Sequence, residues 1–101
     1  MQQRIRHPYP EVYCDLNAQM EHGRYSLERR GSVEDLERLG LTLQEAVGRR
    51  FTFVMDDANE KGEPDDIMFN GVVVYSAEWG FLAHADDDGV YWRSQVKDVD
   101  A

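Results

Sequence analysis

The sequence predicts an α+β fold: an N-terminal β-hairpin and two short helical turns, then a curved four-stranded antiparallel meander. The meander would be either an SH3-like small barrel or an open sheet. Three observations lead there. Apolar residues alternate with period two through most of the second half. Two short segments led by Ser or Thr stop at glycine, the punctuation of brief helices. The chain of 101 residues is long enough for one modest core and too short for two.

Taken in order, "MQQRIRHPYP" has no periodicity and carries Arg4, Arg6 and His7 ahead of two prolines. Residues 1–10 are therefore expected to be a flexible N-terminal arm, and residues 11–101 the single domain. "EVYCDLNAQM" places Val12, Cys14, Leu16 and Ala18 on one face, a half-buried strand. With Tyr25 and Leu27 on one face of "RYSLER", residues 12–29 read as a hairpin turning near Gly23, with a helix over 18–22 competing for its middle. Ser32 and Asp35 have capping-box spacing, Val33, Leu36 and Leu39 share a face, and Gly40 ends the turn. Thr42, Glu45 and Gly48 repeat the device, with Leu43, Ala46 and Val47 inward.

The meander begins with "RFTFVM", alternating Phe51, Phe53 and Met55 against Thr52 and Val54. "IMFNGVVVY" is apolar on both faces, and Gly71 in its middle suggests a bulge or bend. "SAEWG" turns the chain into "FLAHA", and "DDDG" turns it into "VYWRSQV", with Val90, Trp92 and Val96 on one side. Alternation then makes Trp92 a core residue and Tyr91 an exposed one.

Composition narrows the function classes. Apolar residues at 42%, 11% of all residues being aromatic, describe a globular chain despite 31% charge. The longest apolar run, Val72–Tyr75, falls far short of the roughly 20 residues that span a bilayer. No charged-then-apolar leader opens the chain, so a cytoplasmic location without membrane contact is expected. Cys14 is the only cysteine, which excludes an intrachain disulfide and a CxxC zinc site. Residues 1–50 hold eight Arg against eight acids, whereas residues 51–101 hold Lys61, Arg93 and Lys97 against twelve. The whole net charge of −9 thus lies in the second half. Such a field repels phosphate, so direct nucleic-acid binding is not expected, and it favours a basic protein partner.

The acids concentrate in "DDANEKGEPDD", residues 56–66, and in the "DDDG" turn. Connections of an up-and-down sheet alternate between its ends, so both should share one end. That pole would collect Asp56, Asp57, Glu60, Glu63, Asp65, Asp66, Asp86, Asp87 and Asp88 around Lys61. With Trp79 and Tyr91 as aromatic anchors, these residues form the expected surface for a basic partner. The alternative is a calcium-stabilised structural or sensory domain. Counting from Asp57, calcium-loop spacing offers Asp57, Asn59, the Glu63 carbonyl and Asp65, with Gly62 at the turn. Lys61 and Met68 stand where two further ligands belong. A solvated strand connection, with Asn, Gly and Pro serving the backbone, is the plainer account of the same stretch.

Catalytic signatures are absent: no GxSxG, HExxH or GxxxxGK[ST], and His7, His22 and His84 are scattered. His84 and Asp86, two apart at the end of a strand, point the same way and could pair, which most often just orients a surface imidazole. No cofactor other than calcium is suggested. The reading is a small acidic non-enzymatic binding module of inhibitor, immunity or nucleic-acid-mimic type. A homodimer through exchange of the Arg4–Arg6–His7 arm is an open alternative.

Overall fold

Alternation in "RFTFVM" becomes strand β5 (Arg50–Met55) in a computed structural model that describes residues 4–5, 9–58 and 60–97. Phe51 and Phe53 point into the core from one face, and Thr52 is buried on the other. Strand β6 (Ile67–Ser76) pairs antiparallel with β5 from Arg50↔Val72 to Met55↔Ile67. Its other side takes β7 (Gly80–Ala85), in register from Gly71↔Ala85 to Ser76↔Gly80. Gly71 sits where both partners overlap. No register shift marks it, so the expected bulge is not present. A Cβ there would run into the main-chain carbonyl of His84, so glycine serves the close approach of two strands.

The fourth member of the meander departs from expectation. Strand β8 (Tyr91–Trp92) pairs with Met68 and Ile67 of β6 rather than with β7. Strands β7 and β8 therefore lie end to end along the same side of β6. A single 3-10 turn, Arg93–Gln95, follows at once, and alternation ends there. Tyr91 is consequently buried, and Trp92 is only half-buried. Val90, expected inward, is exposed.

The first half supplies both outer strands of the sheet. Strand β2 (Glu11–Tyr13) pairs parallel with β5, and β3 (Gln19–Glu21) and β4 (Arg24–Ser26) form a hairpin placed by β4 against β7. The hairpin spans less than the expected 12–29, because residues 11–13 have a different partner. The sheet order is β2-β5-β6-β7-β4-β3, open rather than closed. Within the expected loose arm, β1 (Arg4–Ile5) pairs parallel with β9 (Val96–Lys97), while Arg6 and His7 lie outside the described residues. The result is a small mixed α/β protein, mostly sheet, with two helices.

Helix α1 (Arg30–Arg38) starts three residues earlier than the Ser32–Asp35 spacing suggests, after Arg29, which makes no side-chain cap. Both residues have other work. The Ser32 hydroxyl donates to the Tyr13 carbonyl at 2.5 Å, and Asp35 Oδ2 accepts from the Tyr13 N–H at 2.8 Å. Tyr13 is on the outermost strand, and those groups would otherwise be an open edge; the helix closes it with side chains. The stop at Gly40 is as read: φ is +78°, with Leu41 N–H on the Leu36 carbonyl and Gly40 N–H on that of Glu37. Helix α2 (Leu43–Ala46) carries the reciprocal Thr42–Glu45 box, at 3.1 and 3.0 Å. Leu39 and Val47, expected inward, are 43% and 42% exposed. Ser32→Ala should cost about 1–3 kcal/mol, because it leaves the Tyr13 carbonyl without its donor. Urea titration should show the loss, and a midpoint unchanged from the parent would mean that the carbonyl finds water.

The core lies between the helices and one face of the sheet. Phe53 and Phe69, paired across β5 and β6, have ring centroids 5.1 Å apart; Tyr25 lies 5.2 Å from Phe69 and Phe51 6.0 Å from Phe53. Val12, Cys14, Leu27, Leu36, Ala46, Val73 and Ala83 complete it. Each buried Phe contributes roughly 1.5–3 kcal/mol of transfer free energy. Burial, with help from Asp15, pushes the Cys14 thiol up to about 12. A raised thiol pKa stabilises the fold below the ordinary value near 9, and that contribution disappears as pH rises from there towards 12. Stability measured by urea should therefore fall over pH 9–12, and Cys14→Ala should remove that part of the fall. A thiol reagent at pH 8 should leave the native chain untouched and label the unfolded one.

Candidate functional site

The loop between β5 and β6 is folded on itself. Ala58 and Pro64 form an antiparallel bridge, Asp65 N–H donates to the Asp57 carbonyl at 3.0 Å, and Asp57 Oδ1 accepts from Ala58 N–H at 2.8 Å. Asp56, Asp57, Glu60 and Glu63 are exposed along it, and Asp65 and Asp66 are half-buried at its base.

That base is held by the turn after β8. Arg93 Nη1 and Nη2 donate to the two carboxylate oxygens of Glu11 at 3.0 and 2.8 Å, a bidentate fork. Arg93 Nε donates to Asp66 Oδ2 at 2.7 Å, and its main-chain N–H donates to the Asp66 carbonyl at 2.8 Å. Ser94 occupies both oxygens of Asp65, through its hydroxyl at 2.7 Å and its N–H at 3.1 Å. Bonding to Glu11 and then to Asp66 raises the Arg93 guanidinium pKa. One arginine thus joins the outer strand β2, the loop and the C-terminal turn. Beside it lies a cleft of about 290 Å³, lined by Tyr13, Asp35, Asp56 and Asp66 among others.

Lys61 is not alone among the nine acids of the expected pole. Arg93 serves Asp66, and Arg50 makes a close ion pair with Asp86 while lying over the Tyr9 ring at 5.0 Å. The bond to Asp86, and then that to Tyr9, raises the Arg50 guanidinium pKa. Strand β7 stops at Ala85 opposite Gly71, midway along β6, so the 86–89 turn starts beside Asn70 rather than at the sheet end. Asp87 and Asp88 are exposed there. His84 does not pair with Asp86: Arg24 Nε donates to His84 Nδ1 at 3.0 Å.

Neither aromatic anchor joins the loop. Tyr91, 3% exposed, donates its hydroxyl to Asn70 Oδ1 at 2.8 Å, beside Thr52, whose hydroxyl donates to the same oxygen at 2.7 Å. A buried phenol needs such an acceptor, which explains why Tyr91 rather than Trp92 turns inward. Trp79 follows the far end of β6, about 30 Å from the loop at ~3.3 Å per residue. Of the calcium set, Asn59 lies outside the described residues and both oxygens of Asp65 are bonded to Ser94. Among the described residues, no three His, Cys, Asp or Glu side chains are placed to hold a metal ion. No helix among them is long and apolar enough to cross a membrane.

Sequence reasoning missed Arg93, Glu11 and Ser94 as the organisers of the loop. Their partners are 27 to 82 positions away, and no local spacing announces them. Fold and site together define a small α/β protein with an open sheet and an arginine-clasped acidic loop. No protein-family model matches the chain, and no curated protein or solved structure matches it.

Proposed function

We propose that this chain is a small acidic, non-enzymatic binding module that docks a basic protein surface, as inhibitors, immunity proteins and nucleic-acid mimics do. The observation that carries the reading is the presentation of the loop. Its base is fixed by Arg93 and Ser94, while Asp56, Asp57, Glu60 and Glu63 stand exposed on a folded-back hairpin. Carboxylates displayed together repel, by roughly 1 kcal/mol for a close pair even in water, and residues 56–66 carry six of them against one lysine. A cationic partner relieves that repulsion and is drawn in by the net charge of −9.

The test is binding of a fluorescent nona-arginine peptide at low and high sodium chloride. The parent chain should bind, and lose affinity steeply with salt. A variant with Asp57→Asn, Glu60→Gln and Glu63→Gln should bind about tenfold more weakly at low salt. Equal affinity of parent and variant would remove the loop from the reading.

A further inference from the structure

The far end of the sheet carries aromatic surface that the fold does not bury. Tyr75, near the end of β6, is 61% exposed, and Trp79 in the following turn is 37% exposed. Tyr75 and its cross-strand partner Phe81 meet edge-on at 5.0 Å. Large exposed aromatics displayed together are characteristic of binding hot spots.

The turn that displays them is fixed from several sides. Ser76 Oγ accepts from the N–H groups of both Glu78 and Trp79, at 3.2 and 3.1 Å. Glu28 Oε2 accepts from Phe81 N–H at 3.0 Å and fills the space where a Cβ at Gly80 would stand. The Trp79 indole N–H donates to Glu21 Oε2 at 3.2 Å. The Trp79 ring, held this way, loses little further freedom on binding, which favours tight association.

The carboxylates of Glu21 and Glu28 bond this turn, Glu21 also pairing with Arg24 at 3.5 Å, and Glu78 is exposed next to Trp79 in the chain. Aromatic faces rimmed by acids match one chemistry well: a guanidinium stacked on a ring, next to an apolar side chain. We propose that this end docks a segment of a protein partner in which arginine alternates with apolar residues. The proposal rests on the basic-partner reading above and gives it a division of labour. The acidic loop steers the encounter, and the aromatic end, about 30 Å away along β6, retains the partner.

Two amidated peptides test it against the full chain by nitrogen–proton NMR: one alternating arginine with leucine, the other arginine with serine. The arginine–leucine peptide should bind at least about tenfold more tightly than the arginine–serine peptide, and should move the Trp79 indole and Phe81 signals. Tyr75→Ala should reduce that preference; it also gives up the edge-on contact with Phe81, so binding is compared at a temperature where both chains are fully folded. Trp79→Phe keeps a ring while removing the bond to Glu21, and should retain most of the preference. Equal affinities, with shifts confined to residues 56–66, would overturn this proposal while leaving the basic-partner reading intact. No binding of either peptide at millimolar concentration would overturn both.

Discussion

Gly71→Ala should lower the thermal midpoint by roughly 15 °C or more, the largest effect of any single methyl group in this chain. The reason is the direction of the missing Cβ. It would meet the carbonyl of His84, an obstacle made of backbone that cannot swing aside as a side-chain tip can. To admit it, β6 must move away from β7 where β5, β6 and β7 all overlap. Forced overpacking of this kind costs about 3 kcal/mol, and each kcal/mol is worth ~4–8 °C in a domain of this size. The control is its neighbour. Val72 is half-buried, and Val72→Ala should cost about 1 kcal/mol. Parallel melts decide the matter: if the two variants unfold together, the sheet has slack at its centre.

Arg93→Ala is expected to have a smaller effect, and a more informative one. Arg93 is 43% exposed in its side chain, so each ion pair alone contributes modestly, about 0.2–1 kcal/mol. The bidentate fork to Glu11 and the bond to Asp66 act together, for roughly 1–2 kcal/mol or about 5–10 °C. Arg93→Lys keeps the charge without the fork and should recover less than half of the loss. The diagnostic readout is local. Amide exchange at Asp65 and Ala58 should speed up more than at Phe53 or Phe69, because the clasp fixes the loop's base. Uniform acceleration would mean that Arg93 supports the whole sheet and not the loop in particular.

What was legible in the sequence follows the reach of each interaction. The Thr42–Glu45 box, the Gly40 stop and strands β5, β6 and β7 were readable because their determinants lie within a few residues. Ser32 and Asp35 had the right spacing for a local role but serve Tyr13, about twenty residues earlier. The parallel pairing of β2 with β5 leaves no turn to recognise it by. At Tyr91 and Trp92, alternation was extended through a strand of only two residues, and the inward side was fixed by Asn70 on another strand. The loop acids were found, but the arginines that answer them were not, because opposite charges distant in sequence meet only once the sheet exists.

The placement of the outer strands has a kinetic consequence. The β5–β6–β7 meander and the small β3–β4 hairpin form by closing short loops. The pairings that attach β2 and β4 wait for distant chain: Val12 for Phe53, and Arg24 for His84, sixty positions on. Loop closure over such separations must precede the contacts that reward it, so folding should belong to the millisecond-to-second class of non-local topologies. The meander is the natural nucleus. Truncations such as Phe53→Ala or Phe69→Ala should slow refolding, whereas removing the Glu11–Arg93 fork should leave refolding unchanged and speed unfolding.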